Sequence, residues 1–260
     1  MQAQQDIRQF RGAVFVVTQD KVLLRKGYGL ADMEWNISHT PDSKCCIGSI
    51  TKQFTAASIL QLVEEGKLSL DDKLSKFYPD FPNGDKVTIH MLLSHTSGIP
   101  SYTSQKDFNS VGGQSFSLDS MIGFFKNRPY DFSPGTNWLY NNSGYFLLGA
   151  IIEKLSNMSY THYLRKNIFD KLGMQQSGLV QLDTILSNRA RGYERKGKNF
   201  INAEFISMEW PFSAGAIYST IDDLYKWDRA SYGECGLLKI IRKKKYKLPS
   251  RIMLWDKITR

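Results

Sequence analysis

The sequence has no run of about 18 apolar residues, so nothing in it reads as a membrane-spanning helix. Its first residues, MQAQQDIRQF, lack the apolar stretch of a secretory leader: either the protein stays in the cytoplasm or a leader is missing from this chain. Cysteine is scarce. The three present, Cys45, Cys46 and Cys235, are odd in number and two are adjacent, which excludes a disulfide framework. Cys45 and Cys46 read as small apolar residues near the start of a helix. His90 and His95 are off a common helical face and no further ligand cluster exists, so no metal is expected. A Gly-x-Ser-x-Gly elbow is missing too, which argues against a Ser-His-Asp triad on an α/β-hydrolase sheet. Internal repeats and low-complexity tracts are absent.

What is there is ordinary for a soluble globular protein: 260 residues, 42% hydrophobic and 23% charged, enough for one large domain or two small ones. The net charge of +9 is unevenly spread. Residues 239–260 hold nine Lys/Arg against one acid, Asp256, while the other 238 residues hold 25 basic and 24 acidic groups. A basic tail can bind polyanions. With a body this close to neutral, the tail reads as an appended segment without selected function, and no nucleic-acid partner is expected.

Hydrophobic patterning predicts a hairpin from 12–17 and 22–30 around the polar break Thr18-Gln19-Asp20-Lys21. An amphipathic helix follows from Ser49, with Ile50, Phe54, Ala57, Leu60 and Val63 on one face and Gly66 as its stop. Further helices are predicted at about 88–94, 117–127, 143–156 (capped by Asn142 or Ser143), 159–172 and 221–230, the last opened by a capping-box-like Thr220 and Asp223. Residues 190–206 alternate around KGKN as a second hairpin. Strands, then helices, then strands suggest an α/β sheet carrying a helical insertion.

A serine hydroxyl is a weak nucleophile and needs a base within reach. In Ser49-Ile50-Thr51-Lys52 the lysine lies one helical turn on, where burial can lower its pKa until it accepts the hydroxyl proton. Ser49 at the helix start also faces the positive end of the macrodipole, and its own N–H can serve an oxyanion. The bland alternative is a capped helix with an exposed lysine. Tyr140-Asn141-Asn142, the only Tyr-x-Asn in the chain, precedes another helix. A phenol beside an ammonium group can have a lowered pKa and pass a proton to a leaving amine or alcohol, and the amide can hold both a lysine and a substrate carbonyl. Its alternative is an Asn-rich turn with a buried tyrosine.

In this order and about 90 residues apart, the two motifs resemble those of the serine β-lactamase and penicillin-binding-protein family, in the Tyr-x-Asn form of class C β-lactamases, D-alanyl-D-alanine peptidases and related esterases. IGSITKQFTAASILQLVEEGKLSLDDKL, MLLSHTSGIPSY, FSPGTNWLYNNSGYFLLGAIIEKLS and FSAGAIYSTIDDLYKWDRA carry the same likeness over roughly residues 10–232. The resemblance implies an α/β (α+β) β-lactamase/transpeptidase-like fold, an antiparallel sheet flanked by helices plus a helical subdomain. It implies Ser49 as nucleophile, Lys52 as base, Tyr140 as proton shuttle and Asn142 as substrate-binding amide, with a small-molecule or peptidoglycan-type substrate. It implies no cofactor, makes His95 a loop-tying residue, and goes with a periplasmic or secreted location.

The family's third element, Lys-Thr-Gly or His-x-Gly on a strand beside the nucleophile, is not recognisable after the YSTIDDLYKWDRA helix; Lys196-Gly197 comes too early and in a turn. The chain therefore reads as a hydrolase domain over 10–238, lacking its C-terminal strands, followed by an aberrant basic tail at 239–260, as a frameshifted or truncated gene would give. The expected consequences are an incomplete sheet and an exposed hairpin edge. Impaired catalysis, or a remnant that only binds ligands, is the alternative to the acyl-enzyme hydrolase.

Overall fold

The computed structural model describes residues 10–19, 21–108 and 116–231. Cys235, the basic tail and the stretch after the YSTIDDLYKWDRA segment, where the family's third motif is expected, lie outside them. β-branched and aromatic residues build Gly12–Thr18 (β1) and Lys21–Tyr28 (β2), an antiparallel hairpin in register from Gly12↔Tyr28 to Thr18↔Lys21, with a bulge between Val16 and Val17. Leu30–Asp32 (β3) pairs with Ile37–Ser38 (β4). Among the described residues the hairpin pairs with no third strand.

Cys45–Cys46 (β5) is a strand, which corrects the helical placement of the two cysteines; both thiols are free. Backbone pairing explains it: Ile217–Ser219 (β9) lies between β5 and Gly178–Leu179 (β6), with Cys45↔Ser219 and Leu179↔Ile217 in register. Tyr193–Lys196 (β7) and Asn199–Asn202 (β8) form the second hairpin, turning at Gly197.

Thr51–Glu64 (α1) follows a 3-10 turn, Gly48–Ile50. Periodicity suggests an apolar stripe, but α1 is buried on nearly every side, and Thr51, Lys52, Thr55, Ser58 and Gln61 go inside with Phe54, Ile59 and Leu62. Ile89–Leu93 (α2) and Leu118–Lys126 (α3) pack on Asn142–Ser156 (α4), as do α1 and Tyr160–Leu164 (α5), and α5 runs into Asp170–Leu172 (α6) through a π-helical turn, Arg165–Phe169. Thr88, Ser117 and Ser159 supply side-chain caps by accepting N–H bonds from Met91, Ser120 and His162. Phe212–Gly215 (α7) packs on α1 and α4. It approaches α4 so closely at Gly149 that a Cβ there would lie 2.1 Å from Ser213 Oγ.

Ile221–Ser231 (α8) holds the hairpin to this body. Phe15 meets Tyr225 edge-on at 5.1 Å, Arg25 bonds Asp222 at 2.7 and 2.8 Å, and Trp227 stacks on Phe54 at 4.1 Å. Thr220 Oγ1 accepts the Asp223 N–H, but Asp223 does not close a capping box. Its buried carboxylate accepts from Gln176 N–H at 2.7 Å and Ser177 Oγ at 2.9 Å instead, joining α8 to the turn before β6.

Candidate active site

Ser49 sits where strand becomes helix. Ile47 N–H donates to Ile217 O at 2.9 Å, tying the chain to β9, and Gly48 then turns it at φ +51°. That left-handed conformation strains any residue with a Cβ, and glycine adopts it freely. The turn leaves Ser49 exposed while Lys52, one turn on, is only 6% exposed.

Lys52 Nζ lies 3.2 Å from Ser49 Oγ, and donates to Asn142 Oδ1 and to Ala214 O, both at 2.8 Å. Tyr140 O–H donates to Ser49 Oγ at 2.7 Å. The four residues singled out in the sequence thus form one bonded cluster, Lys52 and Tyr140 on the Ser49 hydroxyl and Asn142 on Lys52. The supporting contacts come from α7 and β9: Thr55 Oγ1 donates to Ser213 O at 2.6 Å, and Thr51 Oγ1 accepts the Ile217 N–H at 3.2 Å. The polar side chains buried on α1 next to the serine are therefore bonded, as burial requires.

Burial pushes the Lys52 ammonium down to about 7. Its partners are a hydroxyl, a carboxamide and a carbonyl, so no full negative charge among them restores the protonated form. Tyr140 differs from the sequence expectation of a lowered phenol pKa. Burial raises it, and the hydrogen bond with Ser49 opposes that only in part. The physical reason is that a lysine already depressed by burial offers a phenolate little charge.

His95, read as a loop tie, does more locally. It is buried in a left-handed conformation at φ +61°. Its carbonyl accepts from Leu139 N–H at 3.0 Å and its Nδ1 from Asn141 N–H at 3.1 Å, which pins the chain on either side of Tyr140. Its ring lies 4.7 Å from the Tyr140 ring. Burial first, then the nearby Lys52 charge, holds its pKa down to about 4, so Nδ1 stays free to accept. The cap of α4 is Asn141, not Asn142 or Ser143: Asn141 Oδ1 accepts from Gly144 N–H at 2.6 Å, while Asn142 turns its side chain to Lys52. Sequence reasoning missed the Ala214 carbonyl, a backbone atom with no sequence signature, and the hydroxyls of Ser101 and Thr103 that bond Asn142 from the other side. Among the described residues, no His, Cys, Asp and Glu side chains group as a metal site, and no helix is long and apolar enough to cross a membrane.

A family model described as Beta-lactamase matches residues 1–251. The chain belongs to the beta-lactamase family. Its relatives include "Putative penicillin-binding protein PbpX" of Bacillus subtilis (strain 168), 32% identical over 221 residues that cover 85% of this chain and 54% of that protein. The chain thus spans about half the length of this curated relative. The crystal structure of a penicillin-binding protein from Bacillus halodurans superimposes with a TM-score of 0.78 at 31% identity, covering 90% of this chain and 74% of that one. A D-amino acid amidase from Ochrobactrum anthropi SV3, solved with L-phenylalanine amide, gives 0.75 at 26% identity, covering 85% and 65%. The fold is the β-lactamase/transpeptidase-like α+β fold of this family, with short antiparallel sheets set against helices.

Proposed function

We propose that this beta-lactamase family member is a serine hydrolase that forms an acyl-enzyme on Ser49 with β-lactam, D-amino-acid peptide or amide, or ester substrates. The observation that carries the reading is the surroundings of Lys52 Nζ. A neutral amine has two protons and one lone pair. Two acceptors at 2.8 Å, Asn142 Oδ1 and Ala214 O, take the protons, which leaves the lone pair for the Ser49 hydroxyl at 3.2 Å. With a pKa near 7, the amine is substantially neutral at physiological pH.

The steps follow. Ser49 Oγ attacks the substrate carbonyl carbon as its proton passes to Lys52, and the Ser49 N–H at the helix start faces the oxyanion. Tyr140, kept as a phenol by burial, gives its proton to the departing nitrogen or oxygen as the carbonyl–heteroatom bond breaks, and Lys52 restores it. Water then attacks the ester on Ser49 by the reverse proton path, releasing the acid. Substrate class is supported only by the likeness to the penicillin-binding protein and the amidase.

The test is covalent labelling by a fluorescent penicillin and by a fluorophosphonate. Labelling should be lost in Ser49→Ala, and its rate should rise with pH through about 7 as Lys52 loses its proton. A folded wild-type sample that takes up neither probe would leave a non-catalytic, ligand-binding protein instead.

A further inference from the structure

We propose that Thr103 is a positioning residue for the base: its hydroxyl holds the Asn142 carboxamide with Oδ1 turned to Lys52. The inference rests on the serine-hydrolase reading of the site. Thr103 belongs to the 3-10 turn Tyr102–Ser104, and nothing about its type or spacing marks it in the sequence.

Asn142 is held at both ends. On one side Oδ1 accepts from Lys52 Nζ at 2.8 Å; on the other, Nδ2 donates to Thr103 Oγ1 at 2.8 Å. Thr103 Oγ1 lies 3.0 Å from Ser101 Oγ, and Ser101 Oγ accepts the Asn142 N–H at 3.3 Å. The bonds close a ring: amide nitrogen, Ser101, Thr103, carboxamide. Ser101 is buried, so the ring is anchored in the body of the protein, while Thr103 faces the open side of the site.

The orientation matters because a carboxamide has an acceptor end and a donor end. Turned by 180°, Asn142 would aim N–H groups at Lys52. Against the ammonium this is repulsive; against the neutral amine the N–H takes the lone pair that the Ser49 proton needs. While Lys52 is charged, it selects Oδ1 by itself. Once neutral, it selects weakly. With the Thr103 proton directed to Ser101 Oγ, only a Thr103 lone pair faces Asn142, so a turned carboxamide would set Oδ1 against it, and this is what resists rotation of the amide in the state that does the chemistry.

Two measurements test this. Thr103→Val keeps the shape and removes the hydroxyl; Thr103→Ser restores it. In Thr103→Val the ammonium still draws Oδ1, while the neutral amine gains the turned amide's N–H as a donor, so the neutral form is favoured and the Lys52 titration midpoint, followed by NMR at its ε-carbon, should move to lower pH. The rate of labelling at its high-pH plateau should fall about 3- to 10-fold, the range of one net hydrogen bond. Thr103→Ser should return both toward wild type. A general loss of structure would lower the plateau without moving the midpoint downward. An unchanged midpoint in Thr103→Val, or a serine variant that behaves like the valine one, overturns the proposal. The titration needs no turnover, so it decides the role of Thr103 even if wild type and Ser49→Ala both fail to label, the outcome that would remove the hydrolase reading instead.

Discussion

Helix α1 and the β1–β2 hairpin are neighbours, with Phe15 and Val17 facing Ile50 and Gln53 across a shared groove, yet they are packed on opposite terms. Along α1, Phe54, Ile59 and Leu62 have no exposed surface, and Thr51, Lys52, Thr55 and Ser58 are buried with bonded polar atoms. Along the hairpin, Val16, Val22 and Leu23 are 42%, 51% and 58% exposed, and the tethers to α8 include one ring contact and one arginine. A low-dielectric setting with fixed acceptors is what lowers a lysine pKa without leaving polar atoms orphaned. The more tightly packed of the two regions holds the chemistry.

That contrast can be tested in decreasing order of effect. Phe54→Ala removes a ring stacked on Trp227 and edge-on to Phe169 at 5.7 Å, and should cost about 3–5 kcal/mol in denaturant unfolding. Phe15→Ala removes a half-buried ring and should cost roughly 1 kcal/mol. Equal losses would mean that the hairpin is as integral to the core as α1. Next comes the burial of Lys52. Its folded pKa is near 7 against an ordinary 10.5, so the unfolded chain binds more protons between those values and stability must rise with pH across that window. Compared with Lys52→Met, wild type should gain up to about 1.4 kcal/mol per pH unit there, with the burial penalty complete below pH 7. Parallel pH curves would show that the amine is not desolvated. The smallest effect is expected for Arg25→Ala, whose pairs with Asp222 and Asp42 are exposed: under about 1 kcal/mol, shrinking with added salt.

Legibility followed the same division. Ser-x-x-Lys on a helix start and Tyr-x-Asn before another helix are local patterns with a chemical reason, and the geometry that joins them is visible once Ser49, Lys52, Tyr140 and Asn142 are set in space. The helices near 88–94, 117–127 and 159–172 are legible from apolar periodicity, while their caps at Thr88, Ser117 and Ser159 emerge only in the structure, as does Asn141 in place of Asn142 or Ser143. Long-range partners are not legible either. Nothing near Cys45 announces a pairing with Ser219, and nothing near Asp223 announces Ser177. The two asparagines at 141 and 142 differ only in which way each side chain points, which the tertiary position of Lys52 decides. The direction of the Tyr140 pKa is not legible for a related reason: proximity to a lysine shows in the sequence, and how dry that lysine is depends on the fold.

The missing side chain at Gly149 has a reach beyond its own helix. Ser213 sits in the space a methyl would fill, its carbonyl is bonded to Thr55, and the next carbonyl, that of Ala214, holds one proton of Lys52. A bulkier residue at 149 would press on Ser213, one residue from the carbonyl that holds the base. The clearance between two helices thus reaches, through a single peptide unit, the backbone on which the lysine rests.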